Sequence, residues 1–274
     1  MTWLSVRVRA PAEDREAVVA LLFEMGSQGV HEDGDALVTH FPPPVEREFL
    51  ANRLHKVSPN ADVEMADTPD VDWSERWRDR IGRHELGALI VAPPWLARND
   101  EAGRTIIIDP GMAFGTGDHE TTRGVMRLMQ GVIRRGDTVA DLGAGSAVLA
   151  IAAAKLGAER VVAIEMDHDA IGNAEENVAR NGVSGQVAVL EGDAAIMLPL
   201  LGQFRVILAN IISSVITALL PVIRAGLLPD GSVIVSGVLR TESAALRDVL
   251  HDDGWVVDNE DIEGEWWSAV LRRA

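Results

Sequence analysis

The residues most suited to chemistry follow a glycine-rich turn. The stretch "DLGAGSAVLAIAAAKLGAERVVAIEMD", residues 141–167, predicts a strand, a tight turn, a helix and a second strand. Gly143 and Gly145 permit backbone conformations and close approaches that a Cβ would block. Glu165 ends the second strand, where a carboxylate can accept hydrogen bonds from both hydroxyls of a ribose. The pattern therefore predicts a site for a dinucleotide or for another adenosine cofactor.

Two features separate these cofactors. The dinucleotide fingerprint needs a further glycine where Val148 stands. Asp141 would repel a pyrophosphate, whereas it suits the cationic amino group of S-adenosylmethionine, which carries no phosphate. The D-x-G-x-G-x-G pattern of class I methyltransferases matches at Asp141 and its first two glycines and departs at Ala147. We expect Ala147 to lie in the first turn of a helix, where alanine is conformationally easy, and to narrow the pocket slightly.

Two polar residues end later strands of the same region. Asp193 closes "VLEGD" and could accept a hydrogen bond from an adenine amino group, although a helix N-cap is an equally good interpretation. Asn210 follows "RVILA", at the edge where open α/β sheets bind ligands. Its amide oxygen could accept N–H bonds from an amine and aim the nitrogen lone pair at a methyl carbon. A helix N-cap is the alternative for Asn210 as well.

A second glycine-rich stretch, "DPGMAFGTGDHETT", spans residues 109–122. Its glycines and threonine pair predict a backbone that wraps a ligand and closes over it. "HETTR" differs by one residue from the zinc motif H-E-x-x-H, but Arg123 occupies the last position, so we predict no metal site. We expect His119 to order the loop through a hydrogen bond. A role as proton acceptor is the less favoured alternative. The glycines of this loop are Gly111, Gly115 and Gly117.

Strands and helices alternate in the part of the chain that carries these residues. From about residue 138, apolar strands follow one another and helical stretches separate the first of them. Continuous apolar strands between helices are typical of a mostly parallel sheet covered on both faces. The last two strands have no helical stretch between them, so we expect them to pair antiparallel. The sequence predicts an α/β fold, the Rossmann-like seven-stranded sheet of class I methyltransferases.

Three segments are predicted along the chain. Residues 1–67 have the order β-α-β-β-α-β of a ferredoxin-like α+β sandwich. Residues 68–87 are polar and place Trp73 and Trp77 on one helical face, which predicts a linker helix. Residues 88–274 are then expected to form the S-adenosylmethionine-dependent catalytic domain.

Composition narrows the class of protein. The chain has 274 residues, no cysteine and a formal net charge of −17. The lack of cysteine excludes disulfides and thiolate chemistry. An acidic surface repels nucleic acid and could attract a basic substrate. With no apolar run of membrane-spanning length and no signal-peptide pattern in "MTWLSVRVRA", we expect a cytoplasmic protein that binds neither nucleic acid nor a membrane.

The motifs together resemble one methyltransferase family. "DPGMAFGTGDHETT", "DLGAGSAVLAIAAAKLGA", "EMD", "LANI" and the terminal "GEWWSAVLRR" are similar to PrmA, which methylates large-subunit ribosomal protein eleven. The resemblance covers essentially the whole chain, although family members often carry Asp where Glu165 stands. It implies a set of residues that bind S-adenosylmethionine: Thr122, Gly143, Glu165 and Asn210. The residue patterns add further cofactor-binding candidates: Asp141, Gly145, Asp193 and Gly117.

The resemblance also implies an activity and a partner. We expect methylation of lysine side chains and the N-terminal α-amino group of that basic ribosomal protein, with Asn210 as the catalytic residue and residues 1–67 as the substrate-recognition domain. The same fold acting on lysines of another protein is the alternative. A cofactor-binding protein without turnover is a third hypothesis. The expected oligomeric state is a monomer.

Overall fold

The structure of the protein is a computed structural model. The chain divides into two compact units, residues 1–80 and 81–274. Most of the predicted linker helix, residues 69–81, lies outside the described residues. The residues that the structure describes are 3–11, 14–27, 30–34, 36–68, 82–98, 101, 103–109, 115 and 117–274.

The described part of the first unit is an antiparallel sheet with two helices. Its elements are β1 (Trp3–Arg9), α1 (Arg15–Glu24), β2 (Val30–Asp33), β3 (Ala36–Phe41), α2 (Arg47–Val57) and β4 (Asp62–Thr68). The strands pair in the order β2-β3-β1-β4. Every second residue of β1 is buried, because one face of the sheet packs on the helices. The predicted β-α-β-β-α-β order is confirmed.

A short sheet begins the described part of the second unit. It contains β5 (His84–Leu86), β6 (Leu89–Ala92) and β7 (Thr105–Ile107), and residues Pro94–Leu96 form one turn of 3₁₀ helix. β5 pairs antiparallel with β6, and β6 pairs parallel with β7. The predicted linker helix was therefore wrong for residues 84–86. Gly87, with φ of 64°, reverses the chain between β5 and β6 and so makes a strand pair possible.

Residues 117–274, all of which the structure describes, form the predicted seven-stranded sheet and its helices. The strands are β8 (Thr138–Leu142), β9 (Arg160–Glu165), β10 (Val187–Glu191), β11 (Phe204–Asn210), β12 (Leu227–Leu239), β13 (Trp255–Glu263) and β14 (Trp266–Arg273). The helices are α3 (Glu120–Met129), α4 (Val148–Lys155), α5 (His168–Arg180), α6 (Ala194–Met197), α7 (Ser213–Gly226) and α8 (Arg240–Asp252), with a 3₁₀ turn at Leu198–Leu200.

The strand order of this sheet is β10-β9-β8-β11-β12-β14-β13. The five strands β10, β9, β8, β11 and β12 pair parallel with one another in that order, and β14 pairs antiparallel with both β12 and β13. The antiparallel pairing of the last two strands, β13 and β14, was predicted, whereas that of β14 with β12 was not. Successive side chains of a strand point to opposite faces. Val139 therefore packs in the core with α4, and Ala140 packs in the core with α7. The parallel arrangement brings the carboxyl ends of β8, β9 and β11 to one edge.

The helices of the described residues are too short or too polar to cross a lipid bilayer.

Candidate functional site

A cavity of about 530 Å³ opens at the carboxyl edge of the large sheet. Open α/β sheets bind ligands at this edge, and the volume is typical of a small-molecule site. The lining comes from the turn after β8, the end of β9, the segment after β11 and the start of α3, together with Gly115, Gly237 and Trp266. The structure brings several of the predicted site residues to this lining: Thr122, Gly143, Gly145, Glu165 and Asn210.

The turn after β8 depends on glycine for its conformation. Gly143 and Gly145 have φ of 71° and 52°, in the left-handed region that other residues avoid. The backbone N–H groups of Gly143 and Ala144 both donate to the carbonyl of Ile164, over 2.9 and 3.1 Å. A Cβ on Gly143 would lie 2.6 Å from Cγ2 of Ile211. The turn is thus held against β9 and leaves no room for a side chain on the β11 side.

Ala147 stands where the pattern would have its third glycine. It is the N-cap of α4, with φ of 64° and ψ of 18°, so the expectation of an easy helical conformation was wrong. The left-handed region costs an alanine about 1–2 kcal/mol. Its methyl group is fully buried in the core beside α4, which offsets part of that strain. Because Ala147 is not part of the cavity lining, it does not narrow the pocket as expected.

Glu165 joins the end of β9 to the turn after β8. Its Oε2 accepts a hydrogen bond from the N–H of Gly145 over 2.8 Å. Its Oε1 accepts from the N–H groups of Met166 and Asp167 over 2.8 and 2.9 Å. Each carboxylate oxygen can accept more than one bond, so capacity remains for the hydroxyls of a ligand. The carboxylate therefore orders the turn and is available to the cavity at the same time.

Asp141 is a buried acid beneath the turn. The residue is 1% exposed and is not part of the cavity lining, and the backbone N–H of Ala150 faces the carboxylate without forming a hydrogen bond of normal geometry. Burial raises the pKa of Asp141 to about 7, the N–H of Ala150 opposes part of that shift, and repulsion from the Glu165 carboxylate adds to it. A positive charge bound near the turn would favour the ionised form.

Besides Asp141, two of the predicted cofactor-binding residues do not line the cavity. Asp193 is the N-cap of α6, and its Oδ1 accepts from the N–H of Ala195 over 2.8 Å, which is the alternative interpretation considered from the sequence. Gly117 has φ of 92°, and a Cβ there would collide with the side chain of Val91 on β6. Gly117 thus allows the loop before α3 to approach the short sheet closely. A contact of Asp193 with adenine stays a prediction.

The start of α3 is organised by His119. This residue is the N-cap, and its Nδ1 accepts from the N–H of Thr121 over 3.3 Å and lies 2.8 Å from Thr121 Oγ1. The ring packs edge-on against Trp266, with centroids 5.0 Å apart. This geometry agrees with a loop-ordering role.

Thr122 and Asn210 meet where α3 approaches the end of β11. Thr122 is fully buried, and Nδ2 of Asn210 lies 3.5 Å from its Oγ1, a long contact. The side-chain oxygen of Asn210 has no hydrogen-bond partner among the described residues. Since Asn210 lines the cavity, that oxygen is available to accept from a ligand N–H.

Buried polar groups hold these elements together. Ser236 of β12 donates to the carbonyl of Thr121 over 3.3 Å and lies 2.7 Å from Oγ of Ser268 on β14. The next residue, Gly237, has φ of 82°, and a Cβ there would lie 2.5 Å from the carbonyl oxygen of Ile211. The segment after β11 therefore packs directly on the backbone of β12.

Ion pairs attach α3 to β13. Arg127 forms a bidentate pair with Asp261 over 2.8 and 2.5 Å and contacts Glu263 over 2.6 Å. Arg123 contacts the other oxygen of Glu263 over 2.6 Å. Burial alone would raise the pKa of Glu263, but the two guanidinium groups hold it below its usual range. The paired charges fix the helix that carries Thr122.

Several cavity residues were not among the sequence candidates. Ile211 and Ile212 follow Asn210 directly, and Val215 lies in the first turn of α7, so the strand-end position of Asn210 was a signal that nearby residues would also face the ligand. Trp266 and Gly237 come from other strands, and no local pattern in the sequence identifies them. Among the described residues, no cluster of acidic or histidine side chains has the arrangement of a metal site.

The fold and the site define a class of protein. A parallel sheet with one antiparallel strand at β14, a glycine turn after the first strand of its parallel part, and an acid at the end of the next are the features of a class I methyltransferase. The crystal structure of a ribosomal protein L11 methylase from Lactobacillus delbrueckii subsp. bulgaricus superposes with a TM-score of 0.63 at 31% identity, over 70% of this chain and 98% of that one.

Sequence comparison identifies the family. The family model "Ribosomal protein L11 methyltransferase (PrmA)" matches residues 46–274. The ribosomal protein L11 methyltransferase of Pelotomaculum thermopropionicum is 33% identical, over 99% of both chains. That of Thermus thermophilus is also 33% identical, over 95% of this chain and 96% of its own. The chain belongs to the ribosomal protein L11 methyltransferase family.

Proposed function

We propose that the protein transfers methyl groups from S-adenosylmethionine to lysine side chains and the N-terminal α-amino group of ribosomal protein L11. The observation that carries the proposal is the cavity itself. Glu165 and the glycine turn line one side of it, and the free amide oxygen of Asn210 lies on another, beside Thr122. A cofactor and an amine can therefore meet within one pocket.

The charges around the cavity favour a cationic cofactor over a phosphate. Among the described lining residues, Glu165 is a carboxylate and none is a lysine or an arginine. Asp141 beneath the turn is a second acid, which burial keeps partly protonated at neutral pH. A pyrophosphate would be repelled by the Glu165 carboxylate and would disfavour ionisation of Asp141, whereas a positive charge would stabilise the ionised form of Asp141. These residues fit S-adenosylmethionine, which carries an ammonium and a sulfonium.

We infer which residues hold this cofactor. Glu165 accepts the ribose hydroxyls, and the turn at Gly143 and Gly145 lets the backbone approach the ligand. Met166, next to Glu165 and largely exposed, offers an apolar surface for the adenine. When bound, S-adenosylmethionine supplies a methyl group made electrophilic by the positive sulfur.

The acceptor amine must lose its charge before it can attack. A free lysine has a pKa of about 10.4, so only about one amine in a few thousand is neutral at pH 7. The lining contains many apolar groups, among them Ile211, Val215 and Trp266, and loss of water lowers the pKa of an amine. The oxygen of Asn210 then accepts an N–H bond and orients the lone pair, and alignment supplies much of the remaining rate.

Ribosomal protein L11 is a small basic protein by the family resemblance, which suits a chain of net charge −17. We infer that residues 1–67 recognise it, that the protein is a cytoplasmic monomer and that it does not bind nucleic acid directly.

A transfer assay tests the proposal. The protein is incubated with radiolabelled S-adenosylmethionine and purified L11, and mass spectrometry maps the methylated amines. We expect label on lysine side chains and on the α-amino group, and loss of label with Asn210→Ala. Label on another protein but not on L11 would favour the same-fold lysine methyltransferase with a different substrate. Tight cofactor binding with no transfer to any protein would contradict a catalytic role.

A further inference from the structure

Asp109 follows β7 and is bound by α5, and Gly115 lines the cavity. We propose that Asn177 of α5 is a positioning residue for cofactor binding, because it ties the end of β7 to the turn after β8. Asn177 is fully buried and does not line the cavity, so it would act through its neighbours. The inference rests on the proposed function, since it concerns the same cavity.

Asn177 bridges two backbone segments that are distant in sequence. Its Oδ1 accepts from the N–H of Asp109 over 3.0 Å, and its Nδ2 donates to the carbonyl of Ser146 over 3.2 Å. Arg180 also donates to Oδ1, over 2.9 Å. These partners fix the orientation of the amide, because a flipped side chain would set donor against donor and acceptor against acceptor. Both ends of the amide are therefore needed.

Other residues of α5 bind Asp109 as well. Asn173 donates to its carbonyl over 3.3 Å, and Arg180 lies 3.1 Å from its carboxylate. Asp109 is thus held through its N–H, its carbonyl and its side chain. Of the residues that bind Asp109, Asn177 also forms a hydrogen bond to the turn after β8, at the carbonyl of Ser146.

Ser146 extends the connection to the cavity wall. Its hydroxyl donates to the carbonyl of Gly115 over 2.6 Å, and Gly115 lines the cavity. A Cβ on Gly115 would lie 2.9 Å from Oγ of Ser146, so the two residues are in close contact. Ser146 is 1% exposed and follows Gly145, whose N–H binds Glu165. A chain of hydrogen bonds therefore runs from Asp109 through Asn177 and Ser146 to Gly115.

Asn181, the C-cap residue of α5, provides a matched comparison. One turn after Asn177, it accepts from the N–H of Ile107 over 2.8 Å and donates to its carbonyl over 2.7 Å. It binds the same strand with the same chemistry, but its side chain bonds to the backbone of Ile107 and Asn177 and not to the turn after β8. Loss of the Asn181 side chain should weaken the fold without displacing the turn after β8. Loss of the Asn177 side chain should weaken the fold and also displace that turn.

Calorimetric titration of the full-length chain with S-adenosylhomocysteine tests the proposal, with thermal unfolding of each variant in parallel. We expect Asn177→Ala to raise the dissociation constant roughly tenfold, because two buried backbone groups lose their partner. Ser146→Ala removes one hydroxyl and serves where Asn177→Ala is too unstable to purify; we expect it to raise the constant roughly fivefold. Asn181→Ala should lower the melting temperature and change the constant less than about twofold.

The outcomes separate this inference from the proposed function. Weaker binding of S-adenosylhomocysteine by Asn177→Ala and Ser146→Ala, but not by Asn181→Ala, supports the positioning role. If the dissociation constant of the Asn177→Ala/Ser146→Ala double variant rises by less than the product of the two single increases, both residues act on one turn. Equal binding by all variants, or equal weakening by Asn181→Ala, would overturn the positioning role alone. Failure of the unmodified chain to bind S-adenosylhomocysteine would overturn the cofactor assignment and this inference with it.

Discussion

The two sides of the cavity are built differently. The side proposed for the cofactor, residues 141–167, is one continuous strand, turn, helix and strand, and residues of the turn are part of the cavity lining. We call it the cofactor side. The acceptor side joins the start of α3, the segment Asn210–Val215, Gly237 and Trp266, which are far apart in the chain. Its side chains keep their places through buried hydroxyls and ion pairs. The family resemblance also assigns Thr122 and Asn210 to cofactor binding, so changes on the acceptor side should affect both steps. We expect them to impair transfer more than cofactor binding, because this side carries the amide oxygen proposed to orient the amine.

Gly237→Ala should show this separation with the largest effect. Its Cβ would lie 2.5 Å from the carbonyl oxygen of Ile211, at a φ of 82°, so the segment that carries Asn210 must move. A displacement of about 1 Å costs a reaction roughly 100-fold in rate. Steady-state transfer to L11 and calorimetry with S-adenosylhomocysteine measure the two sides separately, and we expect the rate to fall far more than the affinity.

The matched control is Gly172→Ala, in an exposed position of α5 with open space around its Cβ. It should keep full activity and gain about 0.5–1 kcal/mol of stability. A Gly237→Ala enzyme that transfers at the normal rate would show that the acceptor side tolerates displacement.

Asp141→Asn examines the cofactor side through pH. The pKa of Asp141 is about 7 in the folded chain, above its unfolded value of about 3.9. Between these two pKa values the folded state binds more protons than the unfolded state does. The contribution of Asp141 to the free energy of unfolding therefore falls as the pH rises toward 7. Between pH 5.5 and pH 8 the variant should gain roughly 2 kcal/mol relative to the unmodified chain.

Urea unfolding at the two pH values measures that gain. Asp193→Asn, which removes an exposed carboxylate at the N-cap of α6, is the control for the loss of one negative charge and is measured at the same two pH values. If the free energies of unfolding of Asp141→Asn and the unmodified chain differ by the same amount at pH 5.5 and pH 8, Asp141 is not the buried titrating group.

Arg127→Gln should have a smaller effect, on the acceptor side. The side chain of Arg127 is about a third exposed, which weakens its pairs with Asp261 and Glu263. We expect a loss of about 1 kcal/mol in the free energy of unfolding, which salt should reduce. Arg127→Lys should not restore it fully, since lysine cannot form the bidentate pair.

Arg272→Gln is the control for the loss of one positive charge in Arg127→Gln. Arg272 pairs with Asp258 over 2.9 Å at a more exposed position of the same strand pair. Its loss should cost less than about 0.5 kcal/mol. An equal cost for the two arginines would show that the attachment of α3 contributes nothing special to the acceptor side.

The same contrast explains what the sequence could predict. The large sheet, Glu165 and Asn210 were predictable, because alternating strands and helices imply a parallel sheet whose carboxyl edge collects such residues. Gly237 and Trp266 were not, since their places in the cavity depend on pairing between β12 and β14, far from the other site residues in the chain. The strand at residues 84–86 was missed because its pairing with β6 outweighs the helical pattern.

Ala147 shows a further limit on the cofactor side. Sequence alone gives the residue type but not its φ, which the turn sets at 64°. Ala147→Gly should relieve about 1–2 kcal/mol of backbone strain. The loss of a buried methyl group costs about 0.8 kcal/mol, and the greater freedom of glycine in the unfolded chain also lowers the stability. The change in unfolding free energy should stay within about 1 kcal/mol, measured by urea unfolding. A loss of several kcal/mol would mean that the alanine is not strained.

The most direct test of the account is a calorimetric titration of the unmodified chain with S-adenosylhomocysteine and, separately, with NAD⁺. A cavity with Glu165 in its lining and Asp141 beneath its turn should bind one S-adenosylhomocysteine per chain and show no heat of binding with NAD⁺. Binding of NAD⁺ together with indifference to S-adenosylhomocysteine would contradict the account.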